Sequence, residues 1–136
     1  METQIYCTTE DIQSILSYDY LLLCTDDDRD GQLSPNESSY ITLAIERAAN
    51  LMNAYLSRVL KLEDLLSNSW CRDCNSALAA YFISIRRGNP PPKSIEVLYH
   101  YYIDLIQDIR KGHAVVPQAI DTISQKPSIV ESRSYR

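Results

Sequence analysis

The chain has 136 residues, the size of one ordinary domain, and its 45% of hydrophobic residues suffice for a packed core. Net charge is −5, and residues 26–37 alone hold five acids and one arginine, so no basic field exists to draw in nucleic acid by counterion release. No run approaches the length of a membrane span, and the first residues, Met-Glu-Thr-Gln-Ile-Tyr-Cys, lack the basic and apolar regions of a signal peptide. The four cysteines are therefore expected as reduced thiols in a protein made in the cytosol. One Phe against ten Tyr leaves most aromatic side chains with a polar tip, a residue type favoured at interfaces.

Thr8 to Asp11 reads as the start of a first helix, with Thr8 as cap and Ile12, Ile15 and Leu16 on one face. Tyr20 to Leu23 is a dense apolar patch with Cys24 beside it as a small buried hydrophobe. It leads into Asp26–Glu37, Asp-Asp-Asp-Arg-Asp-Gly-Gln-Leu-Ser-Pro-Asn-Glu. Against the twelve-residue loop of an EF-hand, Asp26, Asp28 and Asp30 fall at the first, third and fifth places. Gly31 falls at the sixth, where the chain turns sharply and a Cβ is expected to clash. Gln32 supplies a backbone carbonyl at the seventh, Ser34 is ninth, and Glu37 is the closing bidentate carboxylate. Calcium is a hard cation that takes six to eight oxygens, and this spacing offers them from one turn. The same letters also spell a helix start without any metal. Ser34 is a cap, Pro35 the first helical residue, and Glu37 the far side of a capping box. Both readings stay open.

From Pro35 to about Leu60, Ile41, Ala44, Ile45, Ala48, Leu51, Met52, Tyr55, Leu56 and Val59 keep a 3.6-residue period. A helix of that extent is about 39 Å long and is expected to be the spine. After a connector over 61–69, Trp70, Cys74, Leu78, Tyr81, Phe82 and Ile85 share the face of a third helix. Arg86-Arg87-Gly88 and three prolines stop it. A fourth helix begins at Lys93 or Ser94, carries Ile95, Leu98, Tyr99, Tyr102, Leu105, Ile106 and Ile109 as its stripe, and closes at Lys111-Gly112. The expected fold is all-α. It is a small four-helix bundle over 1–112, with an EF-hand-like acidic turn between helices 1 and 2. Residues 113–136 form an extended C-terminal tail, with Val115, Val116, Pro117, Ile129 and Tyr135 as anchors on neighbouring subunits.

Cys71-Arg72-Asp73-Cys74 lacks the second ligand pair of a structural zinc site and sits inside an amphipathic helix, so both cysteines read as partly core. His100 and His113 have no catalytic companions, and no nucleophile triad or phosphate cradle is present. Nothing in the sequence argues for an enzyme.

Tyr6-Cys7-Thr8, Asp26 to Gly31, Ala54 to Arg58, Arg86 to Pro90, and Asp108 to Gly112 with Pro117 together resemble one family in order and spacing. It is the small bacteriophage head–tail connector, or neck adaptor, proteins, including the Mu-like branch. The connector at 61–69 lacks the prolines of that branch, and Cys71 and Cys74 are not its landmarks. The resemblance implies a structural virion protein of the neck, assembled in the host cytoplasm and forming a homo-oligomeric ring, a dodecamer. The ring lies between the portal protein and a tail terminator or other neck protein. DNA is cargo only, and there is no membrane. It implies no catalytic residues, and calcium at the acidic turn is the one cofactor in question. The alternative, from the residues themselves, is a calcium-binding EF-hand-like interaction module. Sensor EF-hands come in pairs with a Met-rich groove, whereas this chain has one such loop and two Met, which favours the structural reading.

Overall fold

A computed structural model of the chain describes residues 3–117. The described residues are all-α, with five α-helices and no strand. Helix α1 spans Thr9–Gln13, α2 Tyr18–Thr25, α3 Pro35–Leu56, α4 Ser69–Ser84 and α5 Lys93–Lys111, with a 3-10 turn at Leu62–Leu65. No described helix is long and apolar enough to cross a membrane.

The four-helix count is corrected by α2. Its run Tyr20 to Leu23 shows no helical period because apolar residues stand consecutively. Its start is nevertheless capped, since Ser17 Oγ accepts from the Tyr20 N–H. Leu21, Cys24 and Thr25 turn inward, while Leu23 stays exposed. Helix α1 begins as expected with a capping box between Thr8 and Asp11. Helix α3 ends at Leu56 rather than near Leu60. Ser57 closes it and the chain turns back, leaving Val59 half-exposed outside the helix.

The spine is α4, not α3. Cys71, Cys74, Asn75, Ser76, Ala77, Leu78, Ala79, Ala80, Ile83 and Ser84 are all buried, because α4 packs against α1, α2, α3 and α5 at once. Its Ala79 and Ala80 share one core with Ala44 and Ala48 of α3, and short side chains let helix backbones approach closely. Helix α5 contributes Ile95, Ile106 and Ile109, with Tyr99 stacked on Tyr81 of α4 at 3.8 Å between ring centres. Asn68 caps α4 by accepting from the Cys71 N–H at 2.9 Å. All four cysteines are free and buried, and burial pushes the Cys71 thiol up to about 12, far from nucleophilic reactivity at neutral pH.

The segment expected to leave the body at 113 stays on it through Pro117. Gly112 takes a left-handed conformation, φ 84°, which lets the chain double back as the His113 N–H donates to the Asp108 carbonyl. Val116, expected on a partner, is buried in this chain's own core, and the Pro117 carbonyl accepts from Asn68 Nδ2 at 2.8 Å. Val115 is exposed. Ile129, Tyr135 and the rest of the expected tail lie outside the described residues.

Candidate functional site

The acidic turn between α2 and α3 is built by its own backbone. Ser34 caps α3, with its Oγ accepting from the Glu37 N–H at 3.2 Å. Glu37, buried, closes the capping box by accepting from the Ser34 N–H through Oε1 at 3.0 Å. Its other oxygen reaches across the turn to the N–H groups of Asp27 at 2.7 Å and Asp28 at 3.2 Å. Glu37 therefore ties the second and third residues of the turn to its end. Asp26 does the same from the other end, accepting from the N–H groups of Asp30 and Gly31. Arg29 and Gly31 are left-handed, with φ 60° and 80°. The clash expected of a Cβ at Gly31 is absent, since such an atom would meet nothing within 4 Å, and the positive φ alone favours glycine.

Four of the six expected ligands are brought together. One carboxylate oxygen each from Asp26, Asp28, Asp30 and Glu37 lies within 4.8 Å of all the others. Ser34 Oγ is committed to its cap, and Gln32 is exposed with its N–H on Asp30 Oδ1 at 2.9 Å. The electrostatics of the four differ. Asp28 is pushed up to about 6, first by a hydrogen bond with Asp26 that favours its protonated form, then by burial. Burial also opposes ionisation of Asp26, but hydrogen bonds from Gly31, Asp28 and Asp30 outweigh it and hold Asp26 below the usual carboxylate range. The Ser34 N–H leads the bonds that hold Glu37 low as well. The hydrogen bond between Asp26 and Asp28 thus favours ionisation of the first and protonation of the second.

The residues that fix this turn to the body were read in the sequence only as helix-stopping cations. Arg86 and Arg87, just past α4, converge on Asp27. Arg86 makes a two-pronged pair, Nη1 to Oδ1 at 3.1 Å and Nη2 to Oδ2 at 2.9 Å, and Arg87 Nη2 adds a contact at 2.5 Å. They also satisfy the carbonyls left open at the end of α2, with Arg86 donating to Cys24 and Arg87 to Leu23. The Arg86 guanidinium lies 3.7 Å from the centre of the Tyr40 ring. These cations hold the Asp27 carboxyl well below the usual range. The surplus of acids at 26–30 over the single Arg29 was the available signal that cations must come from elsewhere.

The family model for Bacteriophage Mu, Gp36 matches residues 6–129, most of the chain. The chain belongs to the Gp36 family. No curated protein and no solved structure matches it. For this Gp36-family chain the match spans α1 through α5, so the arginine-clamped acidic turn and the return of Val116 to the core both lie within the family's extent.

Proposed function

We propose that this Gp36-family chain is a structural adaptor of the phage particle with no reaction of its own. Copies form a ring, a dodecamer, at the head–tail junction, with the portal protein on one side and a tail terminator or other neck protein on the other. DNA passes through as cargo. The observation that carries this reading is the family match across residues 6–129. It is supported by the motifs at Tyr6–Thr8, Asp26–Gly31 and Arg86–Pro90, which form the N-terminal anchor, the acidic turn and its clamp. The tail continues beyond Pro117 with Ile129 and Tyr135 as anchors on a neighbour, and Val115 is the exposed residue next to it. The test is co-purification with the portal protein and negative-stain microscopy. The full chain is expected as rings seated on the portal. A chain cut after Pro117 is expected to stay helical but lose the neighbouring component. The cut belongs there because one after Gly112 would strip Val116 from the core. A full chain that neither forms rings nor binds the portal would falsify the adaptor reading.

A second reading, calcium binding at the acidic turn, is favoured by one observation. Calcium at about 2.4 Å from its oxygens sets opposite ligands about 4.8 Å apart, and the four carboxylates converge within 4.8 Å. The turn would hold the ion through Asp26, Asp28, Asp30 and Glu37, with a Kd on the order of 10⁻⁴ M as for single extracellular modules. Melting curves of the wild type and Asp28→Asn, with and without calcium, test it. Asp28 has its folded pKa raised, so the folded state holds the extra proton. Its contribution to stability is present below the unfolded value, roughly 3.9, and is lost as pH rises toward about 6. Without calcium, Asp28→Asn is therefore expected to melt higher than wild type at pH 7.5 and equally at pH 3.5. Millimolar calcium should raise the wild-type midpoint at pH 7.5 and leave Asp28→Asn nearly unmoved. No calcium shift in the wild type would leave the turn as a capping device alone.

A further inference from the structure

We infer that the groove between α3 and α4 receives the outer stripe of α5 from a second copy of this chain, in a head-to-tail contact. This rests on the ring reading above and names the surface that would build it. The groove has a volume of about 580 Å³, and Tyr40, Leu43, Arg47, Phe82 and Arg86 are among its walls. Leu43 is 59% exposed there, an apolar side chain with no cover in the monomer. Arg86 is already committed to Asp27. Arg47 is not: it stands 5.4 Å from the centre of the Phe82 ring and, among the described residues, forms no ion pair. Glu46, its neighbour in sequence, also lines the groove.

The stripe on α5 is Val97, Tyr101, Asp104 and Asp108. Spaced by four, three and four residues, they share one helix face, and all four are exposed. Val97 and Tyr101 are each 56% exposed. Neither Asp104 nor Asp108 is ion-paired among the described residues. The two surfaces match in order and in step. On α3, Tyr40 and Leu43 are followed by a cation at 47, and on α5, Val97 and Tyr101 are followed by an anion at 104. From Tyr40 to Arg47 and from Val97 to Asp104 the rise is the same, about 10.5 Å. Two helices laid side by side and parallel therefore bring Val97 to Tyr40, Tyr101 to Leu43 and Phe82, and Asp104 to Arg47 in one register. Glu46 repels an acid placed one residue off that register. The contact is heterologous when each copy gives its α5 stripe to one neighbour and its groove to another, the kind that propagates and closes into a ring when the rotation allows.

The test is sedimentation of the full chain as wild type, Arg47→Glu, Asp104→Arg, and the double variant, with circular dichroism as the check on folding. Both positions are exposed, so the helical signal should not change. Each single variant is expected to weaken self-association by about tenfold or more, and the double variant to recover to within about threefold of wild type. Singles that associate like wild type, a double variant no better than the singles, or a wild-type chain that stays monomeric overturns the contact. Singles that assemble normally but lose the portal give the face to the portal and also overturn it. Rescue in the double variant of a chain that ignores the portal supports the contact while sinking the adaptor role, so the two fail separately.

Discussion

Replacing Leu78 by alanine is expected to destabilise the protein by about 3 kcal/mol, within the range for emptying a fully packed leucine site. Leu78 is fully buried at the middle of α4, the helix that packs against all four others. Relaxation can fill a cavity only if a neighbouring element can move inward. Here α3 and α5 are already in contact with each other as well as with α4, so neither can close the gap without opening another. A single domain of this size has roughly 5–15 kcal/mol in total, so the loss is a large fraction of it. Chemical denaturation should show the midpoint falling with the slope unchanged. An alanine variant within about 1 kcal/mol of wild type would mean that α4 is not the packed centre. Leu43→Ala, at an exposed position outside the core, serves as the contrast and should change stability by less than about 0.5 kcal/mol.

Helix α5 could be read from the sequence because Ile95, Ile106 and Ile109 fall on one stripe and Gly112 ends it, so period and stop signal agree. The centre of the fold could not. On α4 the large residues Trp70, Leu78, Tyr81 and Phe82 suggest a one-sided helix, while Ser76, Ala77, Ala79, Ala80 and Ser84 look like a solvent face. They are buried because small side chains are what close helix packing requires, a demand set by the neighbours and invisible to hydropathy. The acidic turn was legible locally. The capping box of Ser34 and Glu37 is present, and the alternating aspartates do converge. Its clamp was not, since Arg86 and Arg87 meet Asp27 across about sixty positions of chain and no periodicity encodes such a pairing. Val116 misled for a related reason. Past a helix-ending glycine, an apolar residue without a period can serve a partner or return home, and the left-handed turn at Gly112 sends this one home.

Replacing Asn75 by leucine is expected to cost about 2 kcal/mol, although the new side chain is apolar and of similar size. Asn75 is completely buried on α4, where a polar side chain is tolerated only if its groups are satisfied. Its Oδ1 accepts from the backbone N–H of Tyr6 at 2.9 Å, and its Nδ2 donates to the Ile45 carbonyl of α3 at 3.2 Å. One amide thus fixes the N-terminal strap and α3 to the same point on α4. Leucine would leave the Tyr6 N–H without an acceptor at a buried position, and that desolvation penalty sets the magnitude. The Ile45 carbonyl suffers less, because as a helical carbonyl it keeps its place in the α3 ladder. The strap has other ties, with Tyr6 Oη donating to Asn53 Oδ1 at 2.6 Å and Asn53 Nδ2 donating to the Gln4 carbonyl at 3.0 Å. The variant should therefore fold, with its loss concentrated at residues 3–8. Two measurements check this: a denaturation midpoint lowered in proportion to about 2 kcal/mol, and amide exchange that speeds up from wild type to variant more at Tyr6 and Cys7 than at the centre of α5. Equal protection at Tyr6 in both proteins would show that the strap is held by its other ties, to Asn50, Asn53 and Leu62. The buried amide of Asn75 would then stabilise only the pairing of α3 with α4.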